Sequence, residues 1–140
     1  MLVRLLYASR AVNAFTDEDL QSILRESRAA NPALGITGVL CYSDGIFMQV
    51  LEGGRTPVNQ VYARIAADAR HTQVELLSYE EIDERRFAGW SMGQIDLASL
   101  NPAALLKYSE RATLDPFSVS GRVSLAMFEE LVATASIVVC

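Results

Sequence analysis

NPALGITGVLCYSDGIFMQVLEGG, residues 31–54, is the stretch of sequence that decides the fold. Two apolar runs, residues 36–42 and 46–51, lie on either side of Ser43-Asp44-Gly45. An Asp-Gly pair between apolar runs is a strong signal for a tight β-hairpin. The sequence therefore predicts two antiparallel strands that are joined at Asp44 and Gly45.

The position of the turn also fixes which residues of this hairpin share a face. Leu40 lies opposite Gln49 in this register, and directly opposed residues point to the same side. That side carries Gly38, Leu40, Tyr42, Phe47, Gln49 and Leu51. A buried amide without partners costs about 1–3 kcal/mol, so a polar partner is expected for Gln49. An edge position or a water-bonded amide is the alternative that the pattern alone leaves open.

Composition and charge restrict the class of protein. The 140 residues suffice for one domain, and the 51% hydrophobic and 21% charged fractions are typical of soluble globular proteins. A net charge of -5 argues against binding to nucleic acid or to an anionic membrane. The sequence shows neither a signal peptide nor an apolar run of roughly 20 residues, so a cytoplasmic location is expected. Cys41, Cys140 and the single histidine, His71, indicate neither a disulfide framework nor a zinc site.

The segments on either side of the hairpin complete a regular order of elements. Residues 2–9 predict a buried strand that brings Tyr7 and Ser9 to one face, although each alone is more often an ordinary core residue. Thr16 is expected to cap a helix that ends before Pro32, with Asn31 at its end. A second helix is expected to open after the hairpin, with Thr56 as N-cap and Pro57 at its first position.

The second half of the chain predicts two more strands. Residues 73–81 alternate Val74, Leu76 and Ser78 against Glu75, Leu77 and Tyr79, and Arg70 and His71 lie just before them. Residues 87–95 contain a short fifth strand with Trp90, Met92 and Gln94 on one side. A Trp or Met at such a position is more often core than site.

The order βαββαββ predicts an α+β, ferredoxin-like sheet with two helices on one face. The helices cover the face that carries Tyr7 and Gln49. The opposite face, here called the back face, is too apolar to remain in water, because it shows Leu2, Leu6, Val39, Cys41, Ile46, Met48 and Val50.

The end of the chain is expected to cover the back face. Helices from Asn101 to Tyr108 and from Ser120 onward, followed by the apolar residues 137–140, would dock on this sheet or on a second subunit. We therefore divide the chain into a domain at residues 1–97 and a C-terminal helical extension at residues 98–140.

With these residues in place, the sequence resembles the BLUF family of flavin-based blue-light sensors, and in particular its short stand-alone members. The likeness runs over residues 2–95, and the segment from Leu97 onward has no comparable motif. It rests on five motifs in order: Leu5-Leu6-Tyr7-Ala8-Ser9; Asn31 followed by Gly35-Ile36-Thr37-Gly38; Asp44-Gly45-x-Phe47-x-Gln49-x-Leu51-Glu52-Gly53; Asp68-x-Arg70-His71; and Phe87-x-x-Trp90-Ser91-Met92-Gly93.

The resemblance implies a non-covalent flavin between the two helices, with FAD expected first and FMN or riboflavin as alternatives. Asn31 would face the O4/N3 edge of the ring, and Arg70, supported by Asp68, would approach its pyrimidine side. Gln49 would bridge Tyr7 and flavin N5/O4. The implied cofactor-binding residues are Ser9, Ile23, Asn31, Leu40, Gln49, Ile65, Asp68, Arg70 and His71, and the implied photoactive residues are Tyr7, Gln49, Trp90 and Met92. Ala30 departs from some relatives, which have a polar side chain there.

The expected function is that of a photoreceptor and not of an enzyme. On illumination an electron and a proton would pass transiently from Tyr7, and the Gln49 amide would rotate or tautomerise. The change would pass through the strand with Trp90 and Met92 to the C-terminal helices, and then to an unknown partner protein or a second copy of the chain. A ferredoxin-like binding or interaction module without photochemistry is the alternative. A flavin-dependent reductase is disfavoured, since no nucleotide-binding motif and no nucleophile–base pair is present.

Overall fold

The computed structural model of the chain describes residues 1–96, 102–134 and 136–138. Six strands form one sheet in the order β4-β1-β3-β2-β5-β6. This is the predicted ferredoxin-like α+β fold, extended at one edge by β5, which is parallel to β2, and by β6. No described helix has the length and apolar character needed to cross a bilayer. The elements are β1 (Leu2–Ala11), α1 (Asp17–Leu34), β2 (Thr37–Ser43), β3 (Ile46–Gly54), α2 (Arg55–Ala67), β4 (His71–Ile82), β5 (Gly93–Asp96), α3 (Pro102–Leu106), α4 (Gly121–Thr134) and β6 (Ser136–Val138).

The central β2-β3 hairpin forms in the predicted register. Asp44 and Gly45 have φ values of 50° and 78°, the left-handed angles that a type I′ turn requires at both central residues. Leu40 pairs with Gln49, as the turn position predicts. On its other side β3 pairs with β1, and this second register sets Tyr7 directly opposite Gln49.

The sheet separates two apolar cores. The face that carries Tyr7 and Gln49, here called the site face, packs against Leu20 and Leu24 of α1 and Val58 of α2. On the back face, Leu6, Val39, Cys41, Ile46, Met48 and Val50 are covered by Leu105, Leu114, Met127, Phe128 and Leu131. Each fully buried Leu or Phe contributes about 1.5–3 kcal/mol. The described part of the C-terminal segment therefore packs on the sheet of its own chain.

Helix α1 begins as predicted but ends later. Thr16 caps it through a hydrogen bond from the Asp19 N–H to the Thr16 hydroxyl, at 3.2 Å. The helix continues through Pro32 to Leu34, so the predicted end before Pro32 is wrong. The ring of Pro32 removes one hydrogen bond in the last turn, and Gly35, with φ 67°, closes the helix by donating its N–H back to Pro32 O.

Helix α2 begins earlier than predicted. β3 runs directly into it, and Gly54, in an extended conformation, is the N-cap without a side-chain cap bond. Thr56 is therefore not the N-cap, and Pro57 is the third helical residue instead of the first. The first turn of a helix tolerates proline, because its N–H groups have no partner within the helix.

Strand β4 does not keep the predicted alternation. Its register against β1 shifts between Leu6 and Tyr7, which marks a β-bulge. As a result Leu77 packs on the back face, whereas Val74 and Tyr79 pack on the site face. The prediction that Leu77 and Tyr79 share a face is wrong, because the extra residue of a bulge re-aims the side chains that follow it.

The predicted fifth strand is shorter than expected. β5 covers only Gly93–Asp96, and the residues before it form bends and turns. Met92 lies in the site-face core, whereas Trp90 packs against the back-face core. The prediction that Trp90, Met92 and Gln94 share one side is therefore wrong, because the two-residue period holds only for extended backbone.

The C-terminal segment differs from the prediction in detail. Helix α3 ends at Leu106 instead of Tyr108, and β6, which pairs with β5, was not predicted as a strand. The predicted domain boundary at residues 97/98, the helix start at Asn101 and the terminal Cys140 lie outside the described residues. A Cβ atom at Gly121 would lie 1.7 Å from Leu77 O, so glycine is needed where α4 approaches β4.

Candidate functional site

A cleft with a volume of about 160 Å³ lies between α1 and α2, above the site face of the sheet. Apolar side chains from the two helices form its walls, and polar groups lie at its floor and rim, as in small-molecule sites. Eight of the predicted site residues line it: Tyr7, Ile23, Asn31, Gln49, Ile65, Asp68, Arg70 and His71. Of the other predicted residues, Ser9 and Leu40 are buried on the site face of the sheet, and Met92 is buried in the site-face core just before β5. Trp90 lies towards the back face.

At the floor of the cleft, Tyr7 donates its hydroxyl hydrogen to Gln49 Oε1 at 2.5 Å. Both side chains are buried, at 1% and 4% exposure. Burial raises the pKa of the Tyr7 hydroxyl well above its usual range, and the nearby Tyr62 and Asp68 raise it further. Tyr7 therefore remains a protonated donor at physiological pH.

The other end of the Gln49 amide has a weaker partner. Its Nε2 donates to Met92 Sδ at 3.1 Å, and a thioether sulfur is a weak acceptor. Residue 38 must be glycine for the Met92 side chain and the Val50 backbone to lie this close to it. A Cβ at Gly38 would lie 2.1 Å from Val50 O and 3.4 Å from Met92 Cε. The amide is thus held firmly through its oxygen and weakly through its nitrogen, so a better acceptor in the cleft would compete for the N–H groups.

Asn31 joins α1 to the residues that precede β5. Its side chain is 4% exposed, and Nδ2 donates to Ser91 O at 2.9 Å. One helical turn earlier, Arg28 Nε donates to Met92 O at 3.1 Å. Two side chains of α1 therefore hold the backbone beside Met92, whose sulfur meets Gln49.

Arg70 forms the charged rim of the cleft. Its Nη2 lies 2.6 Å from Asp68 Oδ2 and 2.9 Å from Glu26 Oε2, so one guanidinium connects α1 with the loop after α2. The hydrogen bond from Arg70 is the main reason that the pKa of Asp68 is lowered, and the same bond raises the pKa of Arg70. The rim thus keeps a charged ion pair at neutral pH.

His71 and Ser9 support the floor from the β1 side. Ser9 Oγ lies 2.8 Å from His71 Nδ1, and the imidazole centroid is 4.6 Å from that of Phe47. Burial lowers the pKa of His71, with Arg70 adding to the effect and Asp68 opposing it, so the ring is neutral at pH 7. Ser9 therefore acts on the cleft through His71.

The arrangement can bind a planar, heteroaromatic molecule with a polar edge. Ile23 and Ile65 offer apolar surface from opposite helices, and Asn31 and Gln49 offer amide groups that donate and accept. Among the described residues, no cluster of His, Cys, Asp and Glu side chains could hold a metal ion.

Sequence reasoning missed several residues that line the cleft: Glu26, Ser27, Leu34, Leu51, Val61 and Arg64. Glu26 could have been predicted, because it follows Ile23 by three residues and residues at this spacing share a helix face. No local signal indicated its ion pair with Arg70, which is 44 residues away.

A family model described as sensors of blue-light using FAD, BLUF, matches residues 2–93. Subunit beta of the photoactivated adenylate cyclase of Euglena longa is 37% identical over 92 residues, which are 65% of this chain and 11% of that protein. Subunit alpha of the Euglena gracilis enzyme is 40% identical over 84 residues, which are 60% of this chain and 8% of that protein. The chain thus spans about a tenth of the length of these curated relatives.

Solved structures of shorter proteins match over nearly the whole chain. The photo-activated state of BlsA is 34% identical, with a TM-score of 0.84 over 97% of this chain and 99% of that one. The dark-state structure of BlrB, a BLUF protein, is 34% identical, with a TM-score of 0.77 over 94% of this chain and 95% of that one.

Proposed function

Because this chain belongs to the BLUF family, we propose that it is a blue-light sensor that binds a flavin non-covalently in the cleft between α1 and α2. The observation that carries the proposal is the buried Tyr7–Gln49 hydrogen bond at the floor of that cleft. We assign the activity to light sensing without an enzymatic reaction, and the location to the cytoplasm.

The residues of the cleft fit an isoalloxazine ring. Ile23 and Ile65 would lie against its apolar faces, and Asn31 and Gln49 would hold its polar edge. The pairing of Gln49 Nε2 with a weak sulfur acceptor is the feature that best suits such an edge, because a carbonyl or ring nitrogen accepts more strongly. Arg70, fixed by Asp68, would face the pyrimidine side.

FAD is the flavin that we propose, since the family description names it. A site that holds mainly the ring would also accept FMN or riboflavin. Ser9 and His71 would support the ring from beneath, and Leu40 would pack behind Gln49.

The bound flavin supplies the absorption of blue light. The Tyr7 hydroxyl keeps its proton and donates a hydrogen bond to Gln49 Oε1. Gln49 Nε2 donates a hydrogen bond to Met92 Sδ. Rotation of the Gln49 amide exchanges its oxygen and nitrogen, so that Tyr7 then meets a donor and must turn its own hydrogen elsewhere. The two arrangements must differ by only a few kcal/mol, because a larger gap would trap one of them.

Met92 is the residue that we propose to report the state of Gln49 to the rest of the chain. Trp90 is not part of this proposal, since it packs against the back-face core. Relatives named as photoactivated or light-regulated adenylyl cyclases support the view that a downstream protein receives the signal. A second copy of this chain is the other receiver that we propose to test for.

Titration of the flavin-free protein with FAD, FMN and riboflavin tests the binding step. Quenching of flavin fluorescence at a 1:1 ratio is the expected result, because the ring leaves water for a cleft lined by Tyr7. Lack of binding by all three flavins would reject the sensor function and favour an interaction module without a chromophore.

Asn31→Ala should weaken flavin binding by about two- to tenfold, since a net hydrogen bond is worth roughly 0.5–1.5 kcal/mol. The Kd from the same fluorescence titration measures the effect. Asn59→Ala is the matched control, because Asn59 is exposed on α2 and does not line the cleft. An unchanged Kd in Asn31→Ala would remove Asn31 from the binding residues.

A further inference from the structure

Glu52 is a fully buried carboxylate near the end of β3, on the back face of the sheet. Its oxygens accept hydrogen bonds from Arg4 Nε at 2.8 Å, from the Arg86 N–H at 3.1 Å and from the Phe87 N–H at 2.7 Å. Arg4 Nη2 adds a second contact at 2.8 Å. A charge that is removed from water needs such hydrogen-bond partners. For Glu52 they are the Arg4 guanidinium and two backbone N–H groups.

The two backbone donors lie in the connection from β4 to β5, residues 83–92, which we call the crossover segment. Its early residues are fixed from several directions. Arg85 Nη2 donates to Gly35 O at 2.7 Å, next to the end of α1. The Arg86 side chain pairs with Glu129 of α4, and the Phe87 ring meets Phe128 of α4 edge-on at 6.3 Å.

The last residues of the crossover segment reach the cleft. Trp90 O accepts a hydrogen bond from the Gly38 N–H at 3.0 Å. Ser91 O accepts one from Asn31 Nδ2, and Met92 Sδ accepts one from Gln49 Nε2. Met92 follows Phe87 by five residues. One short irregular segment therefore separates Phe87, which bonds to Glu52, from Met92, which bonds to Gln49.

We propose that Glu52 is a positioning residue: by fixing the backbone of Arg86 and Phe87 it sets where Met92 meets Gln49, and thereby the lifetime of the light state. This role rests on the proposed function. A carboxylate suits it because every observed partner of its oxygens is a donor, and a carboxylate is an acceptor at both oxygens. A glutamine would bring an N–H₂ group against at least one of these donors.

Glu52→Gln tests the role with little change of volume. We expect the variant to keep its flavin and to show a red shift of the flavin absorption band under blue light. The rate at which this band returns in the dark should change by roughly tenfold, which corresponds to about 1.4 kcal/mol in the barrier. Glu80→Gln is the matched control, because Glu80 pairs with the same Arg4 at 2.9 Å but is 44% exposed. Its recovery rate should equal that of the wild type.

A second control separates positioning from general loss of stability. Ile46→Ala removes back-face core at the other end of β3, about 20 Å from Glu52 along the strand. It should lower the melting temperature without changing the recovery rate. Equal recovery in Glu52→Gln and the wild type would overturn the proposal.

The methyl signal of Met92 gives a measurement that needs no flavin. In protein labelled with ¹³C-methyl methionine, the Met92 signal is assigned by its loss in Met92→Leu. We expect this signal to shift in flavin-free Glu52→Gln and to stay in place in Glu80→Gln. An unmoved Met92 signal in folded Glu52→Gln contradicts the positioning role, whether or not the wild type responds to light.

A double-mutant cycle then connects Glu52 to Met92. If Glu52 acts through Met92, Glu52→Gln changes the recovery rate much less in the Met92→Leu background than in the wild type. Independent, multiplicative effects would overturn the route through Met92. Should Glu52→Gln fail to fold, Arg4→Lys replaces it in the measurements of the recovery rate and of the Met92 methyl signal. Lysine keeps the charge but loses the forked contact to the carboxylate.

Discussion

Replacement of Gln49 by leucine is expected to abolish the light-induced red shift of the flavin absorption band, while the protein keeps its flavin. Leucine fills a similar volume among the apolar neighbours of Gln49, but it has no amide that could exchange partners. The Tyr7 hydroxyl also loses the acceptor that it holds at 2.5 Å. A buried donor without a partner costs about 1–3 kcal/mol, so we expect a lower melting temperature as well.

Absorption spectra before and after blue light, together with the flavin content of the purified protein, measure the effect of Gln49→Leu. Gln60→Leu is the control for the same chemical change, because Gln60 is exposed on α2. It should retain the red shift. A normal shift in Gln49→Leu would disprove the role of the Gln49 amide.

Tyr7→Phe is expected to retain the fold and the flavin and to lose photoconversion. The substitution removes only the hydroxyl, so the ring still packs against Tyr62, 5.7 Å away between centroids. The variant loses the hydrogen-bond donor to Gln49 Oε1. In the proposed mechanism this hydrogen bond is what differs between the two arrangements of the amide.

The matched control for Tyr7 is its ring neighbour. Tyr62→Phe removes a hydroxyl from a ring that packs against Tyr7, but the tyrosine that bonds to Gln49 is Tyr7, so the yield of the light state in Tyr62→Phe should remain close to that of the wild type. The yield under constant blue light measures both variants. If Tyr7→Phe accumulated the light state as the wild type does, Tyr7 would be an ordinary core residue.

The hairpin shows what sequence reasoning can predict. A two-residue turn at Asp44 and Gly45 sets the pairing of every residue in two strands with a period of two, and this placed Gln49 on the site face. The resemblance placed Tyr7 beside it, and the β1-β3 register does the same. The floor of the cleft was therefore predictable from the turn chemistry together with the resemblance.

The crossover segment shows where such reasoning fails. Trp90 and Met92 are two residues apart and would share a face in a strand, but their backbone is irregular and no period applies to it. The partners of Glu52 are equally hidden, because Arg4 is 48 residues away in sequence. Contacts of this kind depend on which strands become neighbours, so the sequence pattern of one segment does not contain them.

The light-minus-dark absorption spectrum of the purified protein with bound FAD is the most direct test of the sensor function. We expect a red shift of the flavin band under blue light that reverses in the dark, because the Gln49 amide would change its hydrogen bonds beside an intact flavin. A protein that holds FAD and shows no shift under blue light would contradict it.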